Sequence, residues 1–145
     1  MKTVDRDKVK IRRMVSSDIN PTLSIWWANI PEKEMVATQL HGPLNLSFIA
    51  EYDGLVVGFV LAALIHAGFP MTGMGVVYLI EVSPDYQKSG IGKMLIEELE
   101  KYCNSRGVNT IRACVHADDN NMIQYFTKAG FCRSNILNFD KPCPV

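Results

Sequence analysis

The chain has 145 residues, with 15 basic and 15 acidic side chains and no formal net charge. That length suits one domain able to bury about 70% of its unfolded surface. The charge balance removes the electrostatic signature of a dedicated nucleic-acid or membrane-surface protein, and the longest apolar stretch, Leu55–Ile65, is interrupted by Gly58 and too short to span a bilayer.

The opening, Met1–Lys8, is charged with no apolar run behind it, so it does not read as a secretory signal. Val9–Met14 alternates weakly and predicts a first strand. Ser16-Ser17-Asp18 offers an N-cap for a helix over 19–28, with Pro21 in its first turn. Pro31 opens a second helix to about Leu40, stopped by Gly42-Pro43. Leu46–Tyr52 and Leu55–Ile65 are strand-like and flank Asp53-Gly54, a hairpin signal. A glycine-rich, apolar connection over 66–75 leads into a strand, Val76–Val82. A helix follows from Gly90 to about Arg106, with Ile91, Met94, Leu95, Leu99 and Tyr102 on one stripe, Glu97 and Lys101 as an exposed pair, and Gly107 closing it. Thr110–His116 predicts a fifth strand, Asn120–Lys128 a helix and Arg133–Phe139 a last strand. The four cysteines, Cys103, Cys114, Cys132 and Cys143, show no C-x-x-C pairing and no histidine at ligand spacing. Reduced thiols, no metal and a cytoplasmic setting are the expectation.

The stretch from Ile80 to Leu95 reads as strand, turn, helix, with glycines where the helix begins. Free N–H groups at the positive end of a helix dipole suit a phosphate, and Gly90 and Gly92 let a ligand approach the main chain. A Walker loop would need glycine at Gln87 and Ser or Thr at Met94. A dinucleotide fingerprint would need glycine at Leu95. What remains is Gln/Arg-x-x-Gly-x-Gly/Ala, met by Gln87, Gly90 and Gly92 and preceded by Val82-x-Pro84. Downstream, Ala117-Asp118-Asp119-Asn120 is followed by Ile123-x-Tyr125-Phe126-x-Lys128-x-Gly130-Phe131.

Together these segments resemble the GNAT superfamily of N-acetyltransferases: its acetyl-CoA loop, then its second CoA-contacting helix with a closing Gly-Phe. The wording of the second segment is nearest the histone-acetylating branch, and the likeness is weakest over 20–48. The resemblance implies one N-acetyltransferase domain over 1–145, of α/β (α+β) class, with a mixed, mostly antiparallel sheet whose central strands splay apart between helices. It implies pantetheine pairing with the main chain of Ile80 and Val82. It also implies a diphosphate held over Gln87, Lys88, Ser89, Gly90, Ile91, Gly92 and Lys93, with Asn120 and Phe126 of the later helix as further cofactor contacts. The activity implied is acetyl transfer from acetyl-CoA to a primary amine by direct attack in a ternary complex.

Glu81 is the leading candidate for the base. A carboxylate between Ile80 and Val82 in a central strand is costly to bury unless paired or functional, and burial would raise its pKa. The bland alternative is a strand-end ion pair. Tyr78 is a second candidate, for the amine channel or for ordering water, and His116 a third, as a proton relay or simply a capping group. Many members carry a tyrosine five residues before the closing Phe, where this chain has Phe126; Asp119 stands where an Asn is usual. The expected partner is a small-molecule or peptide amine, with no nucleic acid and no membrane. Trp26, Trp27 and Phe69-Pro70-Met71 read as a partly apolar wall or as core. The apolar tail Ile136–Val145 either pairs across a homodimer two-fold or completes the sheet. A catalytically silent acyl-CoA-binding module of the same fold is the competing reading, favoured by Phe126.

Overall fold

The computed structural model describes residues 2–19, 21, 46–65 and 73–144. Five strands form one sheet in sequence order: β1 (Val9–Arg13), β2 (Phe48–Tyr52), β3 (Leu55–Ile65), β4 (Met74–Val82) and β5 (Ile111–Ala113). Neighbours from β1 to β4 are antiparallel, and β5 is parallel to β4. The mixed, mostly antiparallel sheet expected from the sequence is therefore present. Asp53 and Gly54 close the β2–β3 hairpin with φ of 49° and 78°, the positive angles that a two-residue turn requires to match strand twist.

Pairing across the sheet sorts side chains by face, because directly opposed residues share one. Ile49, Phe59 and Glu81 are successive partners, so Glu81 lies on the face of the buried cluster Met14, Ile49, Phe59 and Leu61, beside the half-buried Leu79. Phe48, Val60 and Ile80 are partners on the other face, which the helix α1 (Ile91–Ser105) covers. That helix buries Ile91, Leu95, Ile96, Leu99 and Cys103, each large aliphatic contributing about 1.5–3 kcal/mol. Two glycines of the sheet let it come close. A Cβ on Gly58 would meet Ile91 Cγ2 at 3.3 Å, and one on Gly75 would meet Cys103 Sγ at 3.0 Å. Gly107, at φ +72°, ends the helix, and the N–H groups of Gly107 and Val108 donate to the carbonyls of Asn104 and Cys103. Glu97 pairs with Lys93 rather than with Lys101, which meets Glu98 instead.

The chain divides into two compact units, 1–114 and 115–145. In the second, α2 (Asn120–Lys128) begins at Asp119, whose carboxylate accepts from the Met122 N–H at 3.1 Å. Phe126 is its buried residue, edge-on to Tyr125 at 5.2 Å and to Phe131 at 5.0 Å between centroids.

Two expectations differ from what is seen. The fifth strand is confined to Ile111–Ala113. Residues 133–139 form no strand among the described residues, and Leu137 and Phe139 are 77% and 91% exposed. Their alternation supplies strand propensity, but a strand exists only with a ladder partner. Ser16–Asp18 is a 3₁₀ turn with Asp18 buried, Arg12 grips that carboxylate with two bonds of 2.8 Å, and the described residues beyond it, Ile19 and Pro21, are helical where a helix was expected to begin. The helices expected over 19–28 and 31–40 fall almost wholly outside the described residues, as do Trp26, Trp27, His41, His66 and Phe69-Pro70-Met71.

Candidate functional site

The site is assembled on β4. Leu61 opposes Leu79 and Ala62 opposes Val77, which leaves Tyr78 as the extra residue of a β-bulge. The bulge turns the Tyr78 ring out of the core, and it is 50% exposed. Up to that point β4 pairs on both sides. Beyond it, β4 remains paired with β3 as far as Val82, but its parallel pairing with β5 covers only Gly75, Val76 and Val77. Between Leu79 and Val82 the β5-facing edge of a central strand is thus without a strand partner among the described residues. Ile80 and Val82, the two residues expected to offer main chain to pantetheine, lie on that stretch.

The open edge runs directly into the glycine loop. Gln87 Nε2 donates to the Val82 carbonyl at 3.0 Å, folding the loop back on the strand end. Ser89 Oγ donates to the Tyr86 carbonyl, so its hydroxyl proton is committed within the loop. Lys88 adopts φ +59° and Gly90 φ +90°. Gly90 is the N-cap of α1, no side chain among the described residues caps the helix, and its first turn holds no acidic residue. Met94 is the first residue of α1 to bond back, to the Gly90 carbonyl at 3.0 Å, which leaves the N–H groups of Ile91, Gly92 and Lys93 for an anion. A side chain at position 90 would require Arg6 to move, since its Cβ would stand 2.8 Å from Arg6 Nη2 and 3.0 Å from Arg6 Cζ. Lys88 and Lys93 are exposed, Lys93 within 3.7 Å of Glu97.

Glu81 is half-buried, and desolvation pushes its carboxyl above the ordinary value. No ion pair holds it among the described residues. The strand-end ion pair that would make it merely structural is therefore not among those residues. In the second unit His116 is exposed, its Nδ1 accepting from the Asp118 N–H at 3.2 Å, a turn-capping geometry. Asn120 is exposed at the start of α2. Tyr125 carries a buried hydroxyl with no hydrogen-bond partner among the described residues, and burial raises its pKa so that it stays protonated.

A sequence profile of the acetyltransferase (GNAT) family matches residues 13–131. The chain belongs to the GNAT acetyltransferase family. Solved structures share the fold. An aminoglycoside antibiotic 6′-N-acetyltransferase, AAC(6′)-IG of Acinetobacter haemolyticus, superposes with a TM-score of 0.80 at 17% identity, covering 93% of this chain and 99% of that one. AAC(6′)-Iy, in complex with a bisubstrate analogue of CoA and acetylneamine, gives 0.74 at 19% identity over 93% and 99%. The ribosomal-protein-S18-alanine N-acetyltransferase of Escherichia coli gives 0.73 at 23% identity over 88% and 79%. At these identities the likeness speaks for the fold alone.

Within the first unit of this GNAT chain, the structure brings Ile80, Glu81, Val82 and the whole Gln87–Lys93 loop together at the end of β4. Tyr78 stands one bulge away on the same strand. His116, Asn120 and Phe126 belong to the second unit. Two features escaped sequence reasoning. The bulge is hidden in an uninterrupted apolar run, and Arg6, which holds the Ser89 carbonyl at 2.9 Å, lies 83 residues from its partner, with no local pattern to mark it.

Proposed function

We propose that this chain is an acetyl-CoA-dependent N-acetyltransferase that moves an acetyl group to a primary amine by direct attack in a ternary complex. The observation that carries it is the continuity of two features. Among the described residues, a strand edge that loses its neighbour at Val77 leads, through Val82, to an uncapped helix start at Gly90. A ligand with amides at one end and a diphosphate at the other fits that line, the first pairing as an added strand and the second on the N–H groups of Ile91–Lys93.

Bound acetyl-CoA supplies the activated acetyl group. The chain's own residues do the rest. An alkylamine with pKa ~10.4 arrives protonated, and freeing its lone pair at neutral pH costs about 4–5 kcal/mol. Glu81, with its raised pKa, takes that proton directly or through water. Tyr78, turned outward by the bulge, lines the amine's approach. His116, exposed and capping a turn, has at most a relay role. Asn120 and Phe126 fit the cofactor-facing helix of the family. The thiolate, with pKa near 8.5, leaves without a protein acid. The acceptor is a small-molecule or peptide amine; the aminoglycoside and ribosomal-protein acetyltransferases that share the fold act on such groups. The free thiols of Cys103, Cys114, Cys132 and Cys143 fit a reducing, cytoplasmic setting. The exposed Leu137 and Phe139 of the tail fit pairing across a homodimer two-fold.

Phe126, buried where a tyrosine is usual, favours a second reading: a silent acyl-CoA-binding module. Free-thiol release from acetyl-CoA, measured against a panel of amines, separates the two. Amine-dependent release is expected. Calorimetric CoA binding without release by any amine would make the module reading correct, and no CoA binding would end both.

A further inference from the structure

The residues ahead of β1 run beside the cofactor loop and are tied to it at several points. The Lys2 N–H donates to the Asp85 carbonyl at 2.8 Å, and Lys2 Nζ stands 3.4 Å from the Tyr86 hydroxyl and 5.2 Å from the centre of its ring. Tyr86 packs against Tyr52 with the rings tilted by 59° and centroids 5.8 Å apart, and the Tyr52 hydroxyl accepts from the Asp5 N–H at 3.4 Å. At the far end Arg6 Nε donates to the Ser89 carbonyl.

Between this segment and the loop lies an open depression of about 390 Å³. Its lining brings three cations, Lys2, Arg6 and Lys88, together with Thr3, Val4, Gln87 and Ser89, and contains no carboxylate among the described residues. The chain as a whole is neutral, so this is a local concentration of positive charge rather than part of a general field. None of the three cations is in an ion pair among the described residues. The Arg6 guanidinium is fixed in place through Nε alone, and its two terminal amino groups make no hydrogen bond among the described residues. A guanidinium so oriented is suited to a bidentate grip on phosphate.

We propose that this depression is the subsite for the ribose 3′-phosphate of coenzyme A, with Arg6 as its main ligand and Lys2 and Lys88 completing the charge. The inference rests on the CoA reading above. There the diphosphate occupies the N–H groups at the start of α1, and the 3′-phosphate is the coenzyme's one other phosphate. As a monoester it carries about −1.5 to −2 charges at neutral pH, so it has most to gain from three cations gathered without an acid. The residues Lys2–Arg6 thereby become part of the cofactor site, and the selection of CoA over its dephosphorylated form is theirs.

Calorimetric titration with CoA and with 3′-dephospho-CoA tests this on the native chain, Arg6→Gln and Lys2→Gln. The native chain is expected to bind CoA at least about tenfold more tightly than dephospho-CoA, a preference that shrinks as salt is added. Arg6→Gln should cut the preference to about threefold or less while leaving dephospho-CoA affinity within about twofold of native. Lys2→Gln, which keeps the main-chain bond to Asp85, should cut it by about twofold to threefold, and it carries the test should the arginine variant not fold. Equal native affinity for the two ligands overturns the inference while sparing the transferase reading. Equal weakening of both ligands in Arg6→Gln also overturns it, making Arg6 a brace for the loop. Failure of the native chain to bind either ligand overturns the transferase reading and this inference with it.

Discussion

Replacing Gly90 by alanine tests the loop main chain together with the Arg6 side chain that lies against it. At φ +90° an L-residue pays about 1–2 kcal/mol for the left-handed backbone. The new methyl would also sit 2.8 Å from Arg6 Nη2, a separation no Cβ tolerates. The arginine is the flexible end of that contact and moves, giving up its bond to the Ser89 carbonyl. For an exposed charge-assisted bond that adds about 0.5–1 kcal/mol. The sum, about 1.5–3 kcal/mol, is relieved if the loop leaves its present shape, and the native shape must then be restored to bind. CoA affinity should therefore fall by roughly ten- to a hundredfold. Gly107→Ala is the matched control, with φ +72° and nothing within 4 Å of its Cβ. It meets the backbone cost at the opposite end of α1 and should lower the melting temperature by about 2–4 °C per kcal/mol with CoA affinity unchanged. Calorimetry and thermal melts on both variants decide the matter. Native CoA affinity in a folded Gly90→Ala protein would refute the loop as the diphosphate site.

Glu81→Gln should lower kcat by about 10²–10⁴ with CoA affinity retained. The carboxyl's raised pKa means the folded state holds the proton more tightly, so the group's contribution falls as pH rises above the unfolded value of about 4.3. The glutamine variant should thus match the native melting temperature in acid and equal or exceed it at pH 7; a native rate across neutral pH would make Glu81 structural. Phe126→Tyr should leave single-turnover rates within about tenfold of native and destabilise by about 1–3 kcal/mol if its hydroxyl finds no partner. A larger rate gain would show that a proton at this position helps the thiolate leave. For Asp18, desolvation opposes ionisation, but the Arg12 bonds and the Val15 N–H more than offset it, and the pKa is lowered. Its stabilisation is present above the unfolded value of about 3.9 and lost as pH falls through the folded value. Asp18→Asn should cost about 1.5–3 kcal/mol in denaturant titration at pH 7, a difference that closes in acid.

Much of this architecture was legible because the informative residues are local. Asp53-Gly54 carries its hairpin in two positive φ angles, and Gln87, Gly90 and Gly92 announce a helix start with no acid in its first turn. The Tyr78 bulge was not legible. From Met74 to Val82 only Glu81 is charged, so a one-residue change in alternation leaves no polar marker. The segment 133–139 misled for the opposite reason, since its pattern is visible but the partner a strand needs is not a property of the segment. The bonds of Ser89 and Arg6 were not legible either, because the direction of a hydroxyl and the reach of a guanidinium are settled by the carbonyls of Tyr86 and Ser89, after the chain has folded.

The two sheet glycines beneath α1 bear on how such a chain diverges. The helix is 15 residues long, about 22 Å at 1.5 Å per residue. It rests near its start on Gly58 and near its end on Gly75. The helix is in effect a lever with its fulcrum beside the cofactor loop. A methyl added at Gly75 would meet Cys103 Sγ at 3.0 Å, and yielding by a few tenths of an ångström there turns the rod by only about one degree. The two supports therefore constrain divergence unequally: the N–H groups of Ile91–Lys93 sit beside the fulcrum and keep their aim, and the floor position that bears on them is Gly58, whose Cβ would meet Ile91 Cγ2 at 3.3 Å.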